Sequence, residues 1–227
     1  VVDGAIRPAA IHIRNGAIER IADHGDVPAG AQLDDYGELA ILPGIVDTHV
    51  HLNEPGRTEW EGFATATTAA AIGGVTTLVD MPLNSIPATT SREAFAAKRA
   101  AARGQVSVDV GFWGGVVPGN AGELAGMVAD GVRGFKCFLV DSGVAEFGWV
   151  GERELRPAMG ILANERVPLL VHAEVAGPID VATAQLATAN PRAYATYLAS
   201  RPPAAEEQAI QLVTGLCKET GARTHIV

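Results

Sequence analysis

The sequence has few cysteines, a shortage of basic residues and no long apolar run. Its 2 cysteines, Cys137 and Cys217, are too few for a disulfide framework and are typical of a reducing compartment. The chain has 17 lysines and arginines against 26 acidic residues, and its net charge of −9 argues against a nucleic-acid partner. No apolar run approaches the ~18 residues that span a bilayer. These absences predict a cytoplasmic protein with no nucleic-acid and no membrane partner.

Aromatic residues are also scarce. They make up 5% of the chain while 48% of its residues are hydrophobic, so Ala, Val, Ile and Leu must fill the core. A length of 227 residues fits one good-sized domain, or one domain with a small appendage. The chain begins at Val1 rather than Met and stops in the strand-like run THIV, so both ends look cut.

Residues 1–40 read as part of a small β domain. The run AAIHIRNGAIERIA alternates apolar and polar residues on both sides of Asn15-Gly16, and that dipeptide is the strongest short-range hairpin signal. The turn-rich residues 22–40 then predict a connection to a second domain.

From residue 41 onward, short apolar strands alternate with helices. Strands are predicted over 41–52, 73–82, 106–117, 134–140, 167–174 and 223–227. Helices are predicted over 58–72, 90–104, 120–131 and 151–167, and over most of 178–221 with breaks at Pro191 and Pro202-Pro203. Alternation of this kind indicates an α/β fold with a parallel sheet and helices packed outside it.

We interpret residues 41–227 as an incomplete (β/α)8 TIM-type barrel that is truncated after strand six. The complete fold typically takes ~250 residues, and five strand–helix units plus one strand make up most of it. A doubly wound open sheet is the alternative architecture. That alternative usually carries a glycine-rich phosphate loop, and no G-x-G-x-x-G follows the first strand of this sequence.

Chemically active side chains occur at one end of the predicted strands, where functional residues of such barrels project. They are His49, His51, Lys136, His172 and His225. Because His49 and His51 are two residues apart on a strand, they point to the same face. Each histidine alone is compatible with a buried core residue, but together they favour a zinc ion or another borderline divalent metal.

Lys136 lies in the otherwise apolar strand GFKCFLV, where a buried ammonium group is costly unless it is paired or neutralised. Without a metal, its side chain could reach the rim, form an ion pair with Asp80, or act as a Schiff-base nucleophile. Histidines on neighbouring strands favour a role linked to a metal. Near these residues, Asp47 is a candidate for orienting a ligand or capping a turn, and Glu174 for supporting His172.

Four segments together resemble one enzyme family. They are DTHVH at 47–51, GFKCF at 134–138, LVHAE at 170–174 and THIV at 224–227. This set resembles the cyclic-amide branch of the amidohydrolase superfamily, which contains dihydroorotases, hydantoinases (dihydropyrimidinases) and allantoinases. The resemblance runs along the whole chain and accounts for about half of a family member.

The resemblance implies a role for each candidate residue. His49 and His51 match the ligands of a first divalent metal ion, and zinc is the expected metal. Lys136 matches a lysine that is carbamylated and bridges two metal ions, and His172 and His225 match the ligands of the second ion. The family's catalytic aspartate lies on an eighth strand, so no catalytic residue is expected within this chain, which alone should be inactive. The family also implies a small N-terminal β-sandwich domain and a homotetramer.

Two connecting segments resemble those of allantoinases, namely NEPGRTEWEGF at 53–63 and MPLNSIPAT at 81–89. This resemblance implies hydrolysis of a small cyclic ureide, allantoin, to allantoate. Within these segments, Arg57 and Asn84 are either substrate contacts or structural loop residues. Dihydroorotase or hydantoinase (dihydropyrimidinase) activity is the alternative, although dihydroorotases carry arginine where this chain has Asn53. A non-catalytic scaffold is an alternative of another class.

Overall fold

The structure is a computed structural model that describes residues 4–227. Residues 1–3, which belong to the predicted small β domain, lie outside the described residues. The chain divides into two compact units, and the boundary falls between Gly44 and Ile45. The sequence places this boundary between residues 40 and 41.

The first unit is built around one antiparallel hairpin. Strands β1 (Ala10–Arg14) and β2 (Ala17–Ala22) pair with each other on either side of Asn15 and Gly16. Both turn residues have positive φ, 53° for Asn15 and 75° for Gly16, as a two-residue hairpin turn of type I′ requires. The hairpin that the sequence predicts is confirmed.

The second unit, which begins at Ile45, alternates strands with helices. Its strands are β3 (Ile45–Val50), β4 (Val75–Asp80), β5 (Asp109–Phe112), β6 (Gly114–Gly115), β7 (Phe135–Phe138), β8 (Leu169–His172) and β9 (Thr224–Ile226). Its helices are α1 (Phe63–Ile72), α2 (Arg92–Ala102), α3 (Leu124–Asp130), α4 (Glu152–Asn164), α5 (Ala176–Gln185), α6 (Tyr194–Ala199) and α7 (Pro203–Thr220). A 3-10 turn at Ala121–Glu123 precedes α3.

The strands of the second unit pair in parallel, in the order β3-β4-β5 and β6-β7-β8-β9. The fold is therefore α/β with parallel sheets. The predicted strand at 106–117 is wrong in one respect, because it is split between β5 and β6. The two parts have different partners, because β5 pairs with β4 and β6 pairs with β7. Glycine is required in β6, since a Cβ atom on Gly114 or Gly115 would lie 2.5 Å from the ring of Phe135 or 2.4 Å from that of Phe147.

The sheet has two faces with different neighbours. On β7, Phe135 and Cys137 belong to the larger hydrophobic cluster, which includes buried residues of α1, α2, α3, α4 and α7. Because strand residues alternate, Lys136 and Phe138 point the other way. Phe138 packs there in a smaller cluster with Trp113 and Phe147 among its members. We call the first side the helix side and the second the inner face.

Helix α1 begins later than the sequence predicts. The prediction of a helix from residue 58 is wrong, because residues before Phe63 form a loop in which Asn53 N–H donates to the Glu61 carbonyl at 2.9 Å. The Glu54 carboxylate accepts the N–H of Phe63 at 2.9 Å, which satisfies one free donor at the helix start. At the other end of the chain, Pro203 occupies the first turn of α7, as the predicted break there requires.

None of the helices between residues 4 and 227 combines the length and the apolar character that crossing a bilayer requires. Within the part of the chain that the structure describes, β3 is an edge strand that pairs with β4, and its residues Ile45 and Val46 are 57% and 58% exposed. The TIM-type barrel that is truncated after strand six stays a prediction.

Candidate active site

The register of β3 and β4 places the two neighbouring histidines on the inner face. Val50 is paired with Asp80 and packs against the helix-side cluster. His49 and His51 flank Val50 in the sequence, so their side chains leave the strand on the opposite side. The Asp47 carboxylate accepts the backbone N–H of His49 at 3.0 Å.

Strands β7, β8 and β9 bring further candidates to the same face. Lys136 of β7 is in register with Leu170 of β8, and Leu170 is in register with His225 of β9. Phe138 is in register with His172 one step further along these strands. Paired residues of parallel strands point to the same side, so Lys136, His172 and His225 share the inner face with the β3 histidines.

The side chain of Lys136 contacts a ring nitrogen of His49. Its Nζ atom lies 3.5 Å from Nε2 of His49 and 5.0 Å from the centroid of the Phe138 ring, and the residue is 4% exposed. Among the ion pairs of residues 4–227, none involves Lys136. The rings of His49 and His51 are 5.6 Å apart, measured between centroids.

His172 is held by other contacts. Its Nε2 atom lies 3.0 Å from Oε2 of Glu174, and its ring stacks on Phe138 with centroids 4.9 Å apart. Glu174 therefore contacts His172, as its spacing in the sequence suggests. Across residues 4–227, no three side chains of His, Cys, Asp or Glu come close enough together to hold one ion. The structure thus brings the predicted ligands to one face, with Lys136 and His49 in closest contact.

Burial and positive neighbours favour the uncharged forms of these bases. Burial, assisted by the charge of Lys136, lowers the pKa of His51 from 6.5 to about 4. The same two causes lower the pKa of His49, and the nearby His225 acts in the same direction. Burial also lowers the pKa of Lys136. Neutral imidazoles and an uncharged amine have free lone pairs, which metal ligands require.

The alternative in which Lys136 pairs with Asp80 is wrong. Asp80 is in register with Phe112, whose ring packs against Phe63 and Phe95 on the helix side. The Asp80 carboxylate therefore points away from Lys136, and it pairs instead with Lys98 of helix α2, Nζ to Oδ2, at 2.6 Å. Burial raises the pKa of Asp80 to about 6.

Arg57 and Asn84 lie in the loops after β3 and β4. The Nη1 atom of Arg57 donates to the carbonyl oxygen of Asn84 at 2.8 Å, and its Nη2 atom pairs with Glu146 at 2.9 Å. The guanidinium also lies 4.9 Å from the centroid of the Trp60 ring. Asn84, which has a φ of 76°, places its side-chain Nδ2 atom 3.4 Å from Nδ1 of His51.

Sequence reasoning missed two of these residues. Lys98 is fully buried, and it lies on the same face of α2 as the buried residues Ala94, Phe95 and Ala102. Its spacing on the helix could therefore have predicted that its side chain is buried. Glu146 carries no local signal, because its contact with Arg57 joins residues that are 89 positions apart.

The sequence of this chain is similar to that of known proteins along most of its length. The sequence model of the amidohydrolase family matches residues 40–217. The mitochondrial allantoinase of Aquarana catesbeiana is 49% identical over 218 residues, which are 96% of this chain and 44% of the relative. The allantoinase of Streptomyces avermitilis is 48% identical over 222 residues, 97% of this chain and 49% of the relative. The chain thus spans about half the length of the curated relatives it matches.

Solved structures show the same similarity. The L-hydantoinase (dihydropyrimidinase) of Arthrobacter aurescens superimposes with a TM-score of 0.86 at 33% identity, over 96% of this chain and 48% of that one. A dihydropyrimidinase from Brevibacillus agri superimposes with a TM-score of 0.79 at 26% identity, over 96% of this chain and 48% of the other.

Proposed function

The chain belongs to the amidohydrolase family, and on that premise we propose that the protein containing it hydrolyses a carbon–nitrogen bond of a cyclic amide, with allantoin as substrate and allantoate as product. One observation carries the proposal: Lys136 and His49 are in contact on the inner face that His51, His172 and His225 share. The allantoinase relatives, at 39–49% identity, support the choice of substrate.

The donor set on the inner face fits two divalent ions, and we propose zinc. The pKa values of His49 and His51 are lowered, so both rings are available as neutral ligands, the form in which imidazole binds zinc. His172 and His225 would hold the second ion. When bound, a pair of such ions lowers the pKa of a shared water and polarises the amide carbonyl.

We propose that Lys136 is carbamylated. Its pKa is lowered by burial, and the described residues offer its amine no carboxylate partner. An uncharged amine adds to carbon dioxide: the nitrogen forms a bond to carbon and releases one proton, and the product is an anionic carbamate. Because a carbamate has two oxygens and a negative charge, it fits between two cations where an ammonium would repel them.

The loops after β3 and β4 would bind the ureide. Asn84 is the proposed contact, since its amide lies beside His51 and carries both a donor and an acceptor. Both nitrogens Nη1 and Nη2 of Arg57 are engaged by Asn84 and Glu146. We therefore propose that Arg57 acts on the substrate by holding the Asn84 loop.

The resemblance suggests further properties of the whole protein. We propose that the strands of this chain form part of a (β/α)8 barrel, and that its first unit forms part of a β-sandwich domain. The general base would be the aspartate of an eighth strand, outside this chain. A homotetramer and a cytoplasmic location complete the proposal; the two cysteines, both present as free thiols, are compatible with that location.

Turnover of a substrate panel by the full-length, zinc-loaded protein tests the proposal. Allantoin, dihydroorotate, hydantoin and dihydrouracil are offered at equal concentration, and allantoin is expected to give the highest kcat/KM. The hydantoinase-like fold favours hydantoin and dihydrouracil as second candidates. A preference for dihydroorotate would contradict the proposal, and the absence of turnover with all four would favour the scaffold alternative.

A further inference from the structure

The Lys98–Asp80 ion pair lies on the helix side, directly behind the β3 histidines. Lys98 is 0% exposed and Asp80 is 1% exposed, and their charged atoms are 2.6 Å apart. A buried ion pair adds little stability relative to well-packed apolar residues, because both charges lose their hydration. Its presence in the core therefore calls for a reason other than stability.

Both members of the pair bind the backbone of the same residue, Leu52. Oδ1 of Asp80 accepts the N–H of Leu52 at 2.6 Å, and Nζ of Lys98 donates to the carbonyl oxygen of Leu52 at 2.5 Å. Leu52 is fully buried and follows His51 immediately, beyond the end of β3 at Val50. Since the strand ladder no longer reaches Leu52, the ion pair provides the hydrogen bonds that its backbone needs.

We propose that Lys98 and Asp80 are positioning residues for the metal centre: they fix the backbone at Leu52 and so set the direction of the His51 ring. This inference rests on the proposed function, because it assigns the histidines to a metal. The ion pair itself would touch neither the metal nor the substrate. The N–H of Met81, the residue after Asp80, donates to the Val50 carbonyl at 2.7 Å, which ties the start of the Asn84 loop to the end of β3.

The role resembles that of groups that orient metal ligands from outside the coordination shell. Removal of such groups typically lowers metal affinity about 10- to 100-fold. A purely structural ion pair behaves differently, since its loss lowers the stability of the fold and leaves the affinity of the folded protein for metal unchanged.

The test uses the full-length enzyme, stripped of metal and titrated with Co²⁺, whose visible absorption reports both affinity and ligand geometry. Lys98→Met is expected to raise the Kd for Co²⁺ by about 10- to 100-fold and to shift the absorption bands. Leu162→Ala is the matched control: Leu162 is fully buried in α4 and accepts the N–H of Val167 before β8, at the opposite end of the strands. It should destabilise the fold but leave the Kd and the bands at their wild-type values.

A second variant covers the case in which Lys98→Met does not fold. The double variant K98M/D80N removes both charges together and also removes the lysine donor to the Leu52 carbonyl, so it should show the same loss of affinity. Wild-type affinity and spectrum in either folded variant would overturn the inference and leave the proposed function intact. A wild-type enzyme that takes up no Co²⁺ would overturn both.

Discussion

Lys136 and His49 are 87 positions apart in the sequence, and their side-chain nitrogens lie 3.5 Å apart on the inner face of the sheet. Two bases at this distance repel each other if both are protonated. Burial lowers the pKa of both bases, and the charge of Lys136 lowers the pKa of His49 further. Two neutral bases avoid this repulsion, and the negative charge of the proposed carbamate would also relieve it.

We predict that His51 makes the metal-free enzyme sensitive to acid. The pKa of His51 is about 4 in the folded chain, and its reference value is 6.5. Between these two pH values the unfolded state therefore binds a proton at His51 and the folded state does not. The contribution of this group to stability is therefore fully present above pH 6.5 and is lost as the pH falls towards 4. Urea unfolding of wild type and His51→Asn between these limits measures it. Parallel curves for the two proteins would refute the assignment.

Asn84→Ala should weaken substrate binding more than metal binding. The loss of one hydrogen bond to a neutral ureide is expected to raise KM by about threefold to tenfold. Since Asn84 Nδ2 also lies 3.4 Å from Nδ1 of His51, a smaller decrease in metal affinity should accompany this change. Steady-state kinetics with allantoin and metal analysis of the same sample provide the measurement. An unchanged KM would remove Asn84 from the substrate site.

Arg57→Lys should act in the same direction as Asn84→Ala. A lysine cannot reproduce the planar fork that holds the Asn84 carbonyl and Glu146 together, so the loop loses its connection. Glu146→Gln keeps the shape and removes one charge, and it should show a smaller rise in KM than Arg57→Lys. If the two variants behave like wild type, Arg57 has no part in holding the loop.

Glu174→Gln should lower the affinity for the second metal ion, because Glu174 holds the His172 ring at 3.0 Å. The expected loss is about 10- to 100-fold. Metal titration of the full-length enzyme should then show one tight and one weakened site. Asp180→Asn, an exposed acidic residue of α5, is the control and should leave both sites unchanged.

Removal of one partner from the buried ion pair should be more harmful to stability than removal of both. Lys98→Met leaves the Asp80 carboxylate buried without its counter-charge, and we expect a loss of about 3–5 kcal/mol in the free energy of unfolding. K98M/D80N should recover part of that loss. Chemical denaturation of the three proteins tests this order, and a double variant less stable than Lys98→Met would contradict it.

Much of this arrangement could be predicted from local patterns. The spacing of His49 and His51 and the apolar surroundings of Lys136 depend only on the two-residue repeat of a strand, and the register of β7, β8 and β9 then brings His172 and His225 to the same face. The Asn15-Gly16 hairpin is equally local, because both residues accept positive φ.

Other features depend on contacts that sequence spacing does not encode. The partner of Asp80 follows from the side of the sheet to which it points, and a one-residue change of register would reverse that side. The start of α1 depends on Glu54, which lies nine positions before the N–H it accepts. The need for glycine at positions 114 and 115 depends on the rings of Phe135 and Phe147, which come later in the chain.

The central claim is that Lys136 is part of a metal centre. The most direct measurement is the zinc content of full-length wild type, Lys136→Ala and Cys137→Ala, grown and purified in parallel. Cys137 is the neighbouring residue and is fully buried on the helix side, so it controls for damage to the strand. We predict that Lys136→Ala loses zinc and allantoin turnover, that a short carboxylic acid restores part of both, and that Cys137→Ala retains both. A Lys136→Ala enzyme with wild-type zinc and full turnover would contradict the account.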